Sequence, residues 1–397
     1  MTDPTGSELD DLWARHSADW REPAQIASQW EEAAATDTRL LRGRARGGFW
    51  DLVERKRVTL LVTREYEHLL MGLTVTGGRP QVSYMRMPHP SGVAVDEKRG
   101  VVHVASTRNP NQVYDLVPVT GTLSRRDVPV APPAGRPLVP LRSRFHPGSL
   151  YIHDLAMVGG ELHANAVGEN AVVRLPGEGS WERVWWPRAI ERRGRPDFTR
   201  NYLQLNSIAA GPDVSTSYFT ASADRMSARR PGHRNFMVDR RGVLFDGATR
   251  EPAAGGLTRP HSARLHQGTV WLDNSGYGEL GIVHDGAYEA VARLPGWTRG
   301  LCLRDGVAWV ATSKVIPSFR QYAPGLDVDR SRCAIHAVDL GSGEVLGSLT
   351  WPYGNQVFAV EALDRRLATG LPFPAGRRPS GQLRRLFYGF DTSARQR

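Results

Sequence analysis

Polar residues open several strand-like segments of this chain at equivalent positions. The segments share a layout of polar residue, alternating apolar run, Gly-containing turn and second strand, and begin near His89, Ile152, Leu205, Pro260, Thr298 and Asn355. Aligning their apolar runs superimposes Ser91, His153, Asn206, His261 and Arg299, with Asn355 or Gln356 from the last copy. Packing alone does not need imidazole, amide and guanidinium groups at equivalent places. We therefore expect these side chains to converge on one binding site.

These side chains support two kinds of chemistry. His153 and His261 are suited to general acid–base catalysis, and Arg299 to bidentate binding of a carboxylate or phosphate. The residues predicted to contact substrate are Ser91, Asn206, Asn355 and Gln356. Alternatively, neutral imidazoles could hold a divalent metal, with His89, His153 and His261 as ligands. For either histidine taken alone, a hydrogen-bonded core histidine is the structural alternative.

Short β-runs separated by Gly, Pro, Asn and Asp turns extend from about Val58 to Leu371. The aligned copies are about 40–65 residues apart, which is the span of one four-stranded propeller blade with its loops. The sequence therefore predicts an all-β protein, a six-bladed β-propeller with a short N-terminal helical extension. A seventh blade within residues 306–350 is the alternative. The strands from Asn355 onward are expected to pair with the N-terminal strands and close the ring.

The predicted organisation has three parts. Residues 1–46 carry apolar residues at helical spacing and are assigned to a helical extension. Residues 47–372 form the propeller. Residues 373–397 form a basic tail rich in Pro, Gly and Arg, which is expected to be flexible.

Charge and composition limit the partners. The net charge of +10 raises the question of nucleic-acid binding, but the arginines are scattered among acidic residues along the sequence, so nucleic acid is an unlikely partner. No apolar run is long enough to span a membrane, and the first residues lack a basic region followed by an apolar one. With only two cysteines, the chain is expected to be cytoplasmic. It has no P-loop and no GxGxxG motif between strand and helix, so neither NAD nor another nucleotide is expected.

One long loop, residues 315–331, exceeds the usual length of a propeller connection and is interpreted as a lid or binding loop. Trp297 and Tyr322 are interpreted as exposed loop aromatics that a protein partner could contact.

Several longer motifs resemble a bacterial family of conserved proteins that carries a domain of unknown function. The motifs include HPSGVAVD, HDLAMVGGELHANAVGENAVV, GLTRPHSARLH, DNSGYGE and WPYGNQVFAVE, and the resemblance runs from about Phe49 to Pro372. It implies a propeller without implying an activity.

The blade layout more distantly resembles gluconolactonases and strictosidine-synthase-like six-bladed propellers. Sites of the gluconolactonase type hold a divalent metal through Glu, Asn and Asp on inner strands. Only Asn206 matches that pattern, because His153 and His261 stand where oxygen ligands would be expected. This departure argues against lactone hydrolysis.

The functional hypothesis is an enzyme that acts on a small molecule or modified peptide in a polar pocket at the propeller axis. The pocket would contain either acid–base groups or a divalent metal. The alternative is a non-catalytic propeller that binds a ligand or a protein.

Overall fold

The structure is a computed structural model, which describes residues 35–107, 111–122, 135–177, 180–376 and 390–392. Within these residues the chain forms six antiparallel sheets that are the blades of a β-propeller. The helices predicted in the first 34 residues lie outside the described residues. The rest of the predicted extension forms a 3-10 turn, Thr38–Leu41, and a strand, Arg44–Gly47. No helix in the described ranges is long and apolar enough to cross a membrane.

The strands are numbered in chain order. The first fifteen are β1 (Arg44–Gly47), β2 (Val58–Arg64), β3 (Leu69–Thr76), β4 (Arg79–Arg86), β5 (Pro90–Asp96), β6 (Val101–Ser106), β7 (Gln112–Pro118), β8 (Gly121–Thr122), β9 (Leu138–Phe145), β10 (Ile152–Val158), β11 (Glu161–Ala166), β12 (Ala171–Arg174), β13 (Glu182–Trp185), β14 (Glu191–Arg192) and β15 (Arg195–Pro196). The remainder are β16 (Leu205–Ala209), β17 (Tyr218–Ala221), β18 (Gly242–Asp246), β19 (Pro252–Leu257), β20 (Pro260–His266), β21 (Thr269–Asn274), β22 (Glu279–His284), β23 (Ala287–Arg293), β24 (Trp297–Arg304), β25 (Val307–Ser313), β26 (Cys333–Asp339), β27 (Val345–Trp351), β28 (Ala359–Asp364), β29 (Phe373–Pro374) and β30 (Phe390–Asp391). Among the described residues the α-helix is α1 (Phe49–Arg55), and short 3-10 turns include Pro317–Tyr322 and Val328–Arg330.

Each blade is one sheet, ordered from the axis outward. The six orders, for blades 1 to 6, are β28-β2-β3-β4-β29, β5-β6-β7-β9, β10-β11-β12-β13, β16-β17-β18-β19, β20-β21-β22-β23 and β24-β25-β26-β27-β1. The inner strands contact one another in a closed ring. Six blades confirm the predicted fold class. The alternative of a seventh blade within residues 306–350 is wrong, because that stretch supplies β25, β26 and most of β27 to blade 6.

The ring closes where the two ends of the propeller share blade 1. Strand β28 pairs antiparallel with β2, with Val58 opposite Asp364 and Thr63 opposite Ala359. Strand β29 then pairs with the far edge of the same sheet, at β4. Both edges of the N-terminal strands are therefore covered by C-terminal chain, which removes edges that would otherwise be free to aggregate.

Hydrogen bonds connect each blade to the next near the axis. Thr63 donates to the carbonyl of Ser91 (2.7 Å), and the Ser91 hydroxyl donates to the carbonyl of Ile152 (3.2 Å). Further contacts continue the series: Ile208 N–H to Asp154 (3.1 Å), Asn206 to the Pro260 carbonyl (2.8 Å), Gly300 N–H to Ser262 (2.7 Å) and Ala362 N–H to Cys302 (3.3 Å). We call these bonds between blades the belt. The belt satisfies buried polar groups and fixes the angular position of every blade.

The largest apolar cluster lies around blades 6, 1 and 2. Phe49 of α1 is fully buried, and its ring packs edge-on against Trp309 of β25 with centroids 5.8 Å apart. Strand β1 pairs with β27 as the fifth strand of blade 6. The segment before the first complete blade therefore covers the outside of blade 6.

Two described parts of the predicted tail make contacts with the propeller. Phe373 pairs with Tyr84 as part of β29. Phe390 pairs with Thr122 of β8 and packs against a small valine cluster that includes Val119. The rest of the tail, residues 377–389 and 393–397, lies outside the described residues.

Candidate active site

The inner strands begin at one mouth of the propeller axis, where they surround a cavity of about 500 Å³. The lining, which we call the axial pocket, comprises Glu65, Tyr66, Ser149, Tyr151, His153, Gly168, Asn201, Gln204, Arg230, Pro231, Gly232, Arg259, His261, Trp297, Arg299, Phe319 and Tyr322. The three residues predicted to be catalytic, His153, His261 and Arg299, are all part of it. A cavity of this volume suits a small organic molecule.

Several lining residues occur in pairs, two positions apart, at the start of an inner strand. Tyr151 and His153, Arg259 and His261, and Trp297 and Arg299 are pairs that flank one residue at the start of β10, β20 and β24. Alternate residues of an extended strand face the same side. Each of these three blades therefore contributes two adjoining side chains to the pocket.

The backbone is unusual just before these strands. Tyr151, Gln204 and Arg259 all have left-handed φ values of 52–54°, which non-glycine residues rarely adopt. All three residues line the axial pocket. Uncommon backbone conformations of this kind cluster at functional sites, where surrounding structure holds them.

Each of the inner strands β5, β10, β16, β20 and β24 shifts register close to its site position. Such bulges redirect side chains and occur next to active sites. Neighbouring blades approach closely here. A Cβ on Gly92 would lie 2.6 Å from the Cα of Asp154, and one on Gly300 would lie 3.0 Å from the Cα of Ala359. Glycine after Ser91 and Arg299 thus allows the inner strands to meet.

The two histidines meet although blade 4 separates their blades. Their rings are stacked, with centroids 5.8 Å apart and planes 28° apart. Phe358 packs edge-on against the His153 ring at 5.3 Å, and Trp297 packs edge-on against His261 at 6.1 Å. Both histidines are buried. The geometry joins them in one site and surrounds the pair with aromatic rings.

Two guanidinium groups adjoin the histidines. The Arg299 guanidinium carbon lies 3.6 Å from the centre of the Phe358 ring, a short cation–π contact. Arg259 stacks over Tyr322 at 4.5 Å and donates to Gln204 (2.7 Å). These contacts hold two positive charges in fixed positions inside the pocket. Fixed planar donors of this kind recognise carboxylate and phosphate groups.

The electrostatics keep His261 neutral. Burial is the largest cause that lowers its pKa well below the ordinary value, followed by the charges of Arg299, His153 and Arg259. Burial also lowers the pKa of Arg259 to about 10, with Arg299 acting in the same direction, so that Arg259 stays charged at neutral pH. The pocket therefore combines a neutral imidazole with positive charge.

The long loop covers one side of the pocket. Phe319 and Tyr322, from its 3-10 turn Pro317–Tyr322, both line the cavity. The prediction that Trp297 and Tyr322 are exposed aromatics is wrong, because both are buried in the pocket wall. Trp297 belongs to β24 itself, so its side chain follows the strand and faces the axis.

Two predicted substrate contacts, Ser91 and Asn206, lie outside the lining and belong to the belt between blades. The Ser91 hydroxyl bonds to Ala105 and Ile152 carbonyls, each at 3.2 Å. The Asn206 amide nitrogen donates to Ser222 (3.0 Å) and Pro260 (2.8 Å). In the repeat they occupy positions equivalent to those of His153 and His261, but their short side chains bond to neighbouring strands.

The other predicted contacts also lie outside the lining. Gln356 accepts from the Tyr66 N–H (3.3 Å), whereas Asn355 is exposed, with its N–H bonded to Glu67 (2.5 Å). His89 stacks edge-on with His68, with centroids 4.3 Å apart. The residues predicted as metal ligands are thus divided between two places.

The predicted metal ligands His153 and His261 have no third ligand of the expected kind arranged beside them in the part of the chain that the structure describes. Among the described residues, no group of three or more His, Cys, Asp and Glu side chains is arranged to hold a metal ion. Arg259 and Arg299 place positive charge beside His153 and His261, which opposes a cation and favours an anion. A metal bound by the two histidines stays a prediction, and no step below depends on it.

The lining residues that the sequence alignment missed include Glu65, Tyr151, Gln204 and Arg259. Glu65 is buried and accepts from the Thr107 hydroxyl (2.7 Å). Each of the other three stands two positions before an aligned residue: Tyr151 before His153, Gln204 before Asn206 and Arg259 before His261. All three precede their strands in a left-handed backbone conformation, so strand alternation alone does not predict where their side chains lie.

The fold is a six-bladed β-propeller, and its axial pocket is lined by histidine, arginine and aromatic side chains. The chain belongs to a family described as "Domain of unknown function (DUF4915)", whose model matches residues 47–369. No functionally curated protein matches the sequence.

Solved structures similar to this chain include the following three, each less than 25% identical to it. The nidogen/laminin complex is 10% identical, with a TM-score of 0.49, covering 77% of this chain and 99% of that one. A gluconolactonase from Xanthomonas campestris is 13% identical, with a TM-score of 0.43 and coverage of 75% and 86%. A virginiamycin B lyase from Staphylococcus aureus is 13% identical, with a TM-score of 0.37 and coverage of 73% and 76%.

Proposed function

We propose that this protein is an enzyme that acts on a small molecule or modified peptide bearing a carboxylate or phosphate. The substrate would bind in the axial pocket and undergo proton transfer to or from an imidazole. The observation that carries this proposal is the convergence of His153, His261 and Arg299 from three blades on one cavity.

Substrate binding rests on the charge and shape of the pocket. Arg299 and Arg259 are held on aromatic rings inside the cavity, where a buried anion would have fixed partners. Hydrogen bonds to charged groups contribute about 1.5–3 kcal/mol each. Trp297, Phe319 and Tyr322 supply apolar surface for the uncharged part of the ligand.

Proton transfer rests on the state of His261. Burial beside two guanidiniums lowers the pKa of His261, which keeps the imidazole neutral but makes it a weak base in the absence of substrate. A bound anion offsets the charges of Arg259 and Arg299, so His261 becomes a better proton acceptor when the substrate is in place. When it removes a proton from the bound substrate, the negative charge left on the substrate is stabilised by Arg299. His153 is the second group able to carry a proton, since its ring stacks on that of His261.

The test begins with a ligand screen. Purified protein is mixed with a library of small carboxylates and phosphate esters, and binding and chemical change are followed by NMR. We expect a subset to bind and at least one binder to be converted. The matched variants are His261→Gln in the pocket and His284→Gln on the surface, where the side chain is 77% exposed.

The variants separate the enzyme from the alternative, a non-catalytic ligand-binding propeller. For the enzyme, H261Q slows conversion by about 10²–10⁴-fold, the usual contribution of a positioned acid–base group, while H284Q converts at the wild-type rate. Binding without conversion by the wild-type protein across the library would favour the alternative.

A further inference from the structure

A second cavity, of about 590 Å³, lies on blade 6 near its junction with blade 5. We call its lining the basic groove: Arg44, Arg46, Pro295, Lys314, Arg330, Arg332, His336, Ser348, Thr350, Trp351 and Pro352. It shares no lining residue with the axial pocket. Lys314 and Arg332 flank the long loop whose middle covers the axial pocket, so the two cavities are distinct but adjoin the same loop.

Strand pairing sets the floor of the basic groove. Arg44 of β1 lies opposite Thr350 of β27, and Arg46 lies opposite Ser348. Ser348 is in turn opposite His336 of β26. Residues paired across neighbouring strands share a face, and two residues along a strand span about 7 Å. Arg44 and Arg46 therefore stand side by side above a row of hydroxyl and imidazole groups.

Three more cations surround that row. The Lys314 ammonium is held by the Pro352 carbonyl (3.2 Å). Arg332 is fixed through its backbone N–H, which donates to the Pro295 carbonyl (2.7 Å), and through its side chain, which donates to the Ser331 carbonyl (3.1 Å). Arg330 is exposed on the 3-10 turn before it. Cations thus approach from β1, from the end of β25 and from the segment before β26.

The charged side chains that line the basic groove are all positive. Five lysine and arginine side chains line it, and no carboxylate does so among the described residues. Of the five, Arg330 alone has a described ion pair, with Asp327 at 3.4 Å. Burial lowers the pKa of His336 to about 4, so this ring is neutral at pH 7 and bonds to Thr312 (3.1 Å). Like charges that line one cavity repel one another, and an anion bound between them relieves that repulsion.

From this placement we propose that the basic groove is a binding site for a small molecule carrying more than one phosphate group. Guanidinium groups match the oxygens of phosphate in pairs, and hydroxyl groups of Ser348 and Thr350 supply further donors. The volume fits a small molecule rather than a folded partner. The fold therefore brings together two pairs of arginines that are far apart in the sequence, Arg44 with Arg46 and Arg330 with Arg332.

The experiment measures binding of inorganic tripolyphosphate to the full chain by calorimetry. The variant R44Q/R46Q removes two charges from the basic groove. The control R55Q/R79Q removes two exposed arginines elsewhere and leaves the same net charge. We expect R44Q/R46Q to weaken binding about tenfold or more and the control to bind as the wild type does. Thermal unfolding of each variant confirms that the fold is retained, and Arg332→Gln provides a second groove variant away from the edge strand.

Three results would overturn the proposal. The first is that the wild type does not bind tripolyphosphate. The second is that the two double variants weaken binding equally, which would indicate a general effect of net charge. The third is that a single-stranded oligonucleotide binds through the basic groove and tripolyphosphate does not, which would assign the groove to nucleic acid.

Discussion

The imidazole rings of His153 and His261 stack at 5.8 Å although they start inner strands of blades that are not neighbours. The propeller achieves this because every inner strand begins at the same mouth and because a bulge follows close to each site position. The belt of hydrogen bonds between blades holds the two strands at fixed angles. The relationship is therefore a property of the closed ring and not of any single blade.

Arg299→Lys should weaken binding of anionic ligands to the axial pocket. Lysine cannot reproduce the planar guanidinium, which lies 3.6 Å from the centre of the Phe358 ring and offers paired donors. We expect the Kd of a carboxylate ligand to rise about tenfold, measured by calorimetry, with Arg55→Lys as the control. An unchanged Kd in R299K would contradict the role assigned to Arg299.

Asn206→Ala should affect stability more than binding. The side chain is buried and bonds to Ser222 and to the Pro260 carbonyl across blades, so its loss leaves buried partners unsatisfied. The expected cost is about 1–3 kcal/mol in the free energy of unfolding, measured by urea denaturation. Ser318→Ala, at an exposed position, should be neutral. If N206A abolished ligand binding at full stability, Asn206 would belong to the site after all.

The protein should lose stability as pH falls below about 6.5. Burial lowers the pKa of His336 to about 4, and burial together with Arg144 lowers that of His146 to about 4. Between these values and the ordinary value near 6.5, the unfolded chain binds protons that the folded chain does not. Stability is then fully present above pH 6.5 and declines toward pH 4.

Urea unfolding at pH 7, 5.5 and 4.5 measures this decline. Each buried histidine contributes on the order of 2–3 kcal/mol by pH 4, and His336→Gln should make the dependence shallower. A free energy of unfolding that is equal at the three pH values would show that these histidines are not held neutral.

Removing residues 355–397 should produce aggregated protein. Strand β2 would lose its inner neighbour β28, and β4 would lose β29, so both edges of blade 1 would be exposed. Size-exclusion chromatography with light scattering measures the outcome. A monomeric truncation that unfolds cooperatively would contradict the closure of the ring by these strands.

The repeat in the sequence was sufficient to predict the fold and the positions of His153, His261 and Arg299, because blades repeat both strand length and turn chemistry. It did not separate those residues from Ser91 and Asn206, which occupy equivalent positions. The difference is reach: imidazole and guanidinium groups extend into the pocket, whereas the shorter hydroxyl and amide side chains bond to the adjacent strand.

Other features depend on contacts between distant segments. Arg259 itself adopts a left-handed conformation just before β20. Its φ of 54° is not evident from the residue type. Tyr322 is buried because its loop folds over the mouth, which loop length alone does not determine. The basic groove likewise requires β1 to pair with β27, some 300 residues away in the chain.

The most direct test of the central claim is histidine-selective NMR of the ring nitrogens during titration with a carboxylate or phosphate ligand found in the screen. Assignments come from the variants H153Q, H261Q and H284Q. If one axial site joins the two histidines, the ring signals of His153 and His261 shift together along one binding curve, and that of His284 stays in place. Shifts confined to one axial histidine, or to neither, would contradict a shared site.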